Sequence, residues 1–277
     1  MSRLSPSEML VLLTDDSGWY SRIIGDLALL VVFGSARVDQ GPGDGIWRVS
    51  ALAPPDPQYW PHHLRLLHHA LAAQGRPLAG GNNAGEVGEA LSSALGGRSD
   101  VKSALLGGFM PGTLLYDRAV RASAQQRGLV AQRPVRRLFG LVKAEESCRV
   151  GLGVALGSAL DRRLEASARL LPRMAQQDPP AALAAACALG TLLIAGCMSQ
   201  KYGARIGAAL MPLKEAASRH APAPQPPLPF APQAGEEAWY QHCAVPLPPE
   251  GVIATVDALH GVMELNLHMA GANTYGV

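Results

Sequence analysis

The chain has 277 residues, with 24 lysines and arginines against 22 aspartates and glutamates, and is 48% hydrophobic and 17% charged. That length and apolar content can bury a large core and exclude an intrinsically disordered chain. Cys148, Cys187, Cys197 and Cys243 show no C-x-x-C and no regular spacing, so neither a zinc site nor a disulfide framework is expected, which fits a reducing cytoplasm.

Ser5 or Ser7 can cap a short amphipathic helix over Glu8 to Leu13, and Asp15 to Gly18 make a turn. The acidic residues Glu8, Asp15 and Asp16 do not suit a secretory signal. The continuous apolar run Leu27 to Phe33 reads as a buried strand. With the glycine- and proline-rich turn up to Gly45 and a partner strand from Ile46 to Leu52, it makes a hairpin. Pro54, Pro55, Pro57 and Pro61 close this region, and a helix with Leu64, Leu67 and Leu71 on one face runs from His62 to Gly75.

A loop at Gly80, Gly81, Asn82 and Asn83 precedes a helix over Ala84 to Leu95, and another short helix starts near Ser99. Pro111 opens a helix that stops at Gly128, and Pro134 opens a further helical stretch. Leu152, Leu156, Leu160 and Leu164 then recur every fourth residue in an amphipathic helix. Glu165 and Arg169 stand there at i,i+4, and Pro172 is expected to kink or end it. The alanine-dense run Ala181 to Met198 carries no charge; it is read as a helix buried among others, with a membrane-inserting segment as the alternative. Ala221 to Ala234 is a proline-rich spacer, and Met263 to Met269 alternates apolar and polar residues as a strand, with Val252 to Val256 as a second.

The expected fold is therefore α+β. Residues 1–220 form a mainly helical body with an N-terminal β-hairpin, 221–235 a linker, and 236–277 an acidic β-containing tail packed back on the body. One small antiparallel sheet joins the N- and C-terminal segments. All lysines and arginines lie before residue 220, whereas Glu236, Glu237, Glu250, Asp257 and Glu264 follow, so the tail has the sign to meet a basic body.

Among candidate sites, Gly151, Gly153 and Gly157 follow KAEESCR. A dinucleotide fingerprint needs a hydrophobic strand there, so these are read as helix-packing glycines. His62, His63, His68 and His69 lack the spacing for one metal ion on a helix, and no metal or cofactor is expected. Cys243 beside His242, with Asp257, His260 and His268 downstream, has the residue types of a nucleophile and base and no local sign of activation. The Gly80 to Asn83 loop before a helix could face an anionic group.

The strongest feature is basic. Arg118, Arg121, Arg127, Arg133, Arg136, Arg137 and Lys143 stand against Asp117 between Leu114 and Lys143, with little aromatic interleaving. The resulting expectation is a non-enzymatic, bacterial-type assembly, adaptor or accessory protein in the cytoplasm. Arg118, Arg121, Arg133, Arg136 and Arg137 would meet an acidic protein partner. An RNA- or DNA-binding component using the same arginines, and an enzyme with a pocket near Gly80 to Asn83, are the alternatives; membrane binding ranks below these.

Overall fold

A computed structural model describes residues 3–14, 19–40, 47–73, 78–79, 111–137, 142–220 and 244–272. Its first helix, α1 (Pro6–Leu12), starts as the sequence suggests. Ser5 accepts the Glu8 amide while the Glu8 carboxylate reaches back to the Ser5 amide, a reciprocal capping box. Every residue of α1 is buried, however, so it is a core helix rather than an amphipathic one.

The run read as a strand at Leu27 to Phe33 lies in and just beyond a helix, α2 (Trp19–Val32). An unbroken apolar run suits a helix buried all round as well as a buried strand, and here the helical pattern extends back to Trp19. The hairpin exists, built from β1 (Ala36–Gln40), which the sequence placed in the turn, and β2 (Trp47–Ala51). The two-residue strand β3 (Leu78–Ala79) adds to β2, giving the antiparallel order β1-β2-β3. Helix α3 (His62–Ala73) follows as expected, burying Leu64, Leu67 and Leu71. The loop at Gly80 to Asn83, the helices expected at Ala84 to Leu95 and near Ser99, and the proline-rich spacer lie outside the described residues.

Helix α4 (Pro111–Gln126) ends just before Gly128, as its flanking residues require. The helix expected after Pro134 is instead an antiparallel ribbon of β4 (Val130–Arg137) and β5 (Val142–Arg149). Proline is tolerated there because a two-stranded ribbon has an open edge on both strands, so its missing N–H need not break a ladder bond.

Helix α5 (Leu152–Gln177) passes Pro172 without ending. Leu156, Leu160 and Leu164 are fully buried while Leu152, at its exposed start, is not. Glu165 sits 3.7 Å from Lys201 in an exposed ion pair rather than bonding Arg169. Gly153 is required by proximity: a Cβ there would stand 1.8 Å from the Leu129 carbonyl oxygen, so the glycine lets α5 press against the root of the ribbon. This close packing, and not a phosphate loop, accounts for the glycine.

The alanine-dense run becomes two helices, α6 (Pro179–Leu189) and α7 (Thr191–Met198), bent by 91° at Gly190. All of α7 is buried, and Leu192, Leu193, Ile194 and Ala195 are wholly enclosed. It packs against α1, α2, α5 and α6. Among the described residues, no single helix is long and apolar enough to cross a membrane, although this bent pair together has the length and apolar composition of a span. Two shorter helices follow, α8 (Gly203–Gly207) and α9 (Leu210–Arg219).

Both C-terminal strands expected at Val252 to Val256 and Met263 to Met269 belong to one helix, α10 (Pro249–Ala272). Among the described residues the tail is therefore helical where strands were expected, and neither sheet draws on a C-terminal segment. Helix α10 packs on α2, on the first hairpin and on α9, whose Lys214 Nζ meets Asp257 Oδ1 at 2.5 Å. The fold is a helix-dominated α+β arrangement with small antiparallel sheets.

Candidate functional site

Two polar assemblies stand out, one sealed in the core and one at the surface. The buried one begins with α2, whose otherwise apolar sequence places Arg22 and Asp26 one turn apart. Asp26 accepts Ser7 Oγ at 2.5 Å, the Ser7 amide at 3.1 Å and Tyr116 Oη at 2.7 Å. Burial first, and then the charge and hydrogen bond of Asp26, push the Tyr116 phenol well above its ordinary value, keeping it a donor.

Proton counting fixes the rest of this cluster. Ser7 gives its only hydroxyl proton to Asp26, so the 2.8 Å contact between Ser5 and Ser7 requires Ser5 to donate. Ser5 then has no proton for His63, and the 2.8 Å contact to His63 Nε2 requires the ring to donate. Asp26 Oδ2 lies 3.4 Å from that same nitrogen. A Ser-His-Asp triad has the opposite polarity: the carboxylate holds Nδ1 and Nε2 accepts from serine. Here Nδ1 has no hydrogen-bond partner, and Ser5, Ser7, Asp26 and His63 are all buried. The cluster joins α1, α2, α3 and α4; it is not a nucleophilic site.

Beside it, the Glu8 carboxylate accepts Ser123 Oγ and Arg127 Nη1, each at 2.8 Å. Arg127 therefore belongs to the interior as much as to the basic surface.

The surface assembly is the face of α4 and the β4–β5 ribbon. Asp117 is gripped from two sides, by Arg22 of α2 and by Arg121 Nε at 2.8 Å. Arg121 Nη1 also donates to Ser147 Oγ at 2.8 Å, and Gln132 Nε2 donates to the same hydroxyl at 3.1 Å. Arg118 on α4 and Arg133 on β4 are exposed, and among the described residues neither makes an ion pair. In the ladder Arg133 is opposite Glu146, Arg136 is opposite Lys143, and Arg137 is opposite Val142. The sequence thus places Arg118, Arg121, Arg133, Arg136 and Arg137 on connected elements, although on a helix and a ribbon rather than a helix and a turn.

Of the histidines, His63 is in the buried cluster and His68 is buried with its Nε2 3.0 Å from the Leu52 carbonyl, while His62 and His69 are exposed. Among the described residues no group of histidine, cysteine, aspartate and glutamate could hold a metal ion. His242 and Cys243 lie outside the described residues, and Asp257, His260 and His268 fall on α10. Burial pushes the Cys197 thiol up to about 12, and burial with the nearby Glu250 charge pushes Cys187 up to about 11. At about pH 8, native Cys187 and Cys197 should be alkylated by iodoacetamide at least about a hundredfold more slowly than in urea. Equal rates in the two states, read by mass spectrometry, would contradict their burial.

Comparison with protein-family models, with curated proteins and with solved structures finds no match to the chain.

Proposed function

We propose that the protein is a non-enzymatic adaptor or assembly component that engages an acidic protein partner through α4 and the β4–β5 ribbon. The observation that carries this reading is an imbalance of charge partners. Asp117 is shared by Arg22 and Arg121, and Glu8 is occupied by Arg127, whereas Arg118 and Arg133 are exposed without an ion pair among the described residues. Register adds to it: Arg136 and Lys143 are direct cross-strand neighbours.

The reading is tested with a polyglutamate peptide as probe and polyuridylate as comparator. Converting Arg118→Glu and Arg133→Glu together should weaken polyglutamate binding about tenfold or more while leaving the thermal midpoint close to that of the parent, since both residues are exposed. Undiminished binding by the double variant would overturn the reading. Tighter binding of polyuridylate than of polyglutamate would replace the protein partner by a nucleic acid.

A further inference from the structure

We infer that Arg121, which charge alone groups with the contact residues, is a positioning residue that brackets the basic ribbon onto the helical body. The inference rests on the partner-binding reading above. The bracket is a continuous polar chain across three layers: Arg22 on α2, Asp117 and Arg121 on α4, Ser147 on β5 and Gln132 on β4. Two of the three Arg121 guanidinium nitrogens are committed, Nε to Asp117 and Nη1 to Ser147. Its inner anchor is firm, because the Arg22 side chain is only 7% exposed and Asp117 17%.

A two-stranded ribbon is marginal by itself and takes its orientation from whatever holds its root. The root is tied by the Leu129 amide to the Ala124 carbonyl at 3.0 Å and by the Val150 amide to the Leu129 carbonyl at 3.1 Å. Those bonds lie at one point and act as a hinge. Ser147 and Gln132 are register partners further along the ladder, and Arg121 reaches from the helix to Ser147, the hydroxyl to which Gln132 also donates. A second attachment away from a hinge fixes its angle. Arg133 follows Gln132 directly, and Arg136 stands roughly 13 Å beyond Gln132 at ~3.3 Å per residue, so angular freedom at the root becomes displacement of the basic positions. Ordering that freedom on binding costs affinity, and the bracket removes the cost in advance.

Ser147→Ala removes the shared acceptor without altering any charge, and Ser147→Thr retains the hydroxyl. Against polyglutamate, Ser147→Ala should bind roughly three- to tenfold more weakly than the parent, with the same dependence on salt because the same cations meet the probe. Ser147→Thr should restore binding. Hydrogen exchange should quicken in the ribbon amides of Ser147→Ala and stay unchanged in α2 and α7. Parent-like affinity in Ser147→Ala, or unchanged exchange in its ribbon, would overturn the bracket. If Arg118→Glu with Arg133→Glu weakens binding while Ser147→Ala does not, the bracket fails and the surface stands. If neither weakens it, the surface itself is wrong.

Discussion

Replacing Gly190 by alanine is expected to destabilise the protein by roughly 2–5 kcal/mol, through two separate costs at the corner between α6 and α7. The residue has φ +56°, in the left-handed region, which costs a residue with a Cβ about 1–2 kcal/mol. An added Cβ would also lie 1.8 Å from the Val245 carbonyl oxygen, a backbone atom that cannot swing aside, and forced overpacking costs about 1–3 kcal/mol. That backbone does structural work. The Val245 carbonyl accepts the Thr191 amide at 3.0 Å, the Val245 amide donates to Thr191 Oγ1 at 3.1 Å, and the Leu247 amide donates to the Cys187 carbonyl at 3.0 Å. Together these bonds satisfy helix-end groups that a 91° bend exposes in an apolar core. The matching control is Gly207→Ala, because nothing lies within 4 Å of the Cβ it adds. In thermal denaturation Gly190→Ala should fall roughly 4–20 °C below the parent while Gly207→Ala stays within a few degrees. Similar midpoints for the two would show that the corner is not built as described.

Asp26→Ala should cost a comparable amount, roughly 3–5 kcal/mol, because it strips several buried donors of their acceptor at once. Ser7 loses the partner of both its hydroxyl and its amide, and Tyr116 Oη is left enclosed without an acceptor. Tyr116→Phe makes the informative comparison. It removes one of three donors and leaves the carboxylate with two bonds from Ser7, so it should cost only about 1 kcal/mol. Urea unfolding curves separate the two variants. Equal and small losses would mean that the carboxylate is not the hub of the cluster.

What the sequence revealed, and what it hid, follows from the range of the interactions. The capping box at Ser5 and Glu8, the leucine stripe of α3 and the stop at Gly128 are local devices, and each lies where its residues put it. The apolar run at Leu27 and the alternation in VMELNLHM misled for a common reason. Short stretches satisfy the patterns of strand and helix together, and packing between α2 and α10 decides for helix in both. The ribbon escaped notice because VAQRPVRR and VKAEESCR carry little β-branched or aromatic signal, and Pro134 reads as a helix start. The basic character of the candidate surface was legible from composition, but its division into exposed and committed arginines was not. Asp117, Arg22 and Ser147 decide that division, and they come together from distant segments, Arg22 and Asp117 being 95 residues apart. Arg22 and Asp26, two charges one turn apart in an apolar run, were the available clue to the buried network; they share a helix face only once that run is recognised as α2.

The most direct measurement is the affinity of the intact protein for polyglutamate across a series of salt concentrations. Attraction to a surface held together by exposed arginines must weaken steadily as salt rises, with a shallower slope in the Arg118→Glu, Arg133→Glu variant. Binding that ignores salt, or no binding even at the lowest concentration, would contradict the account.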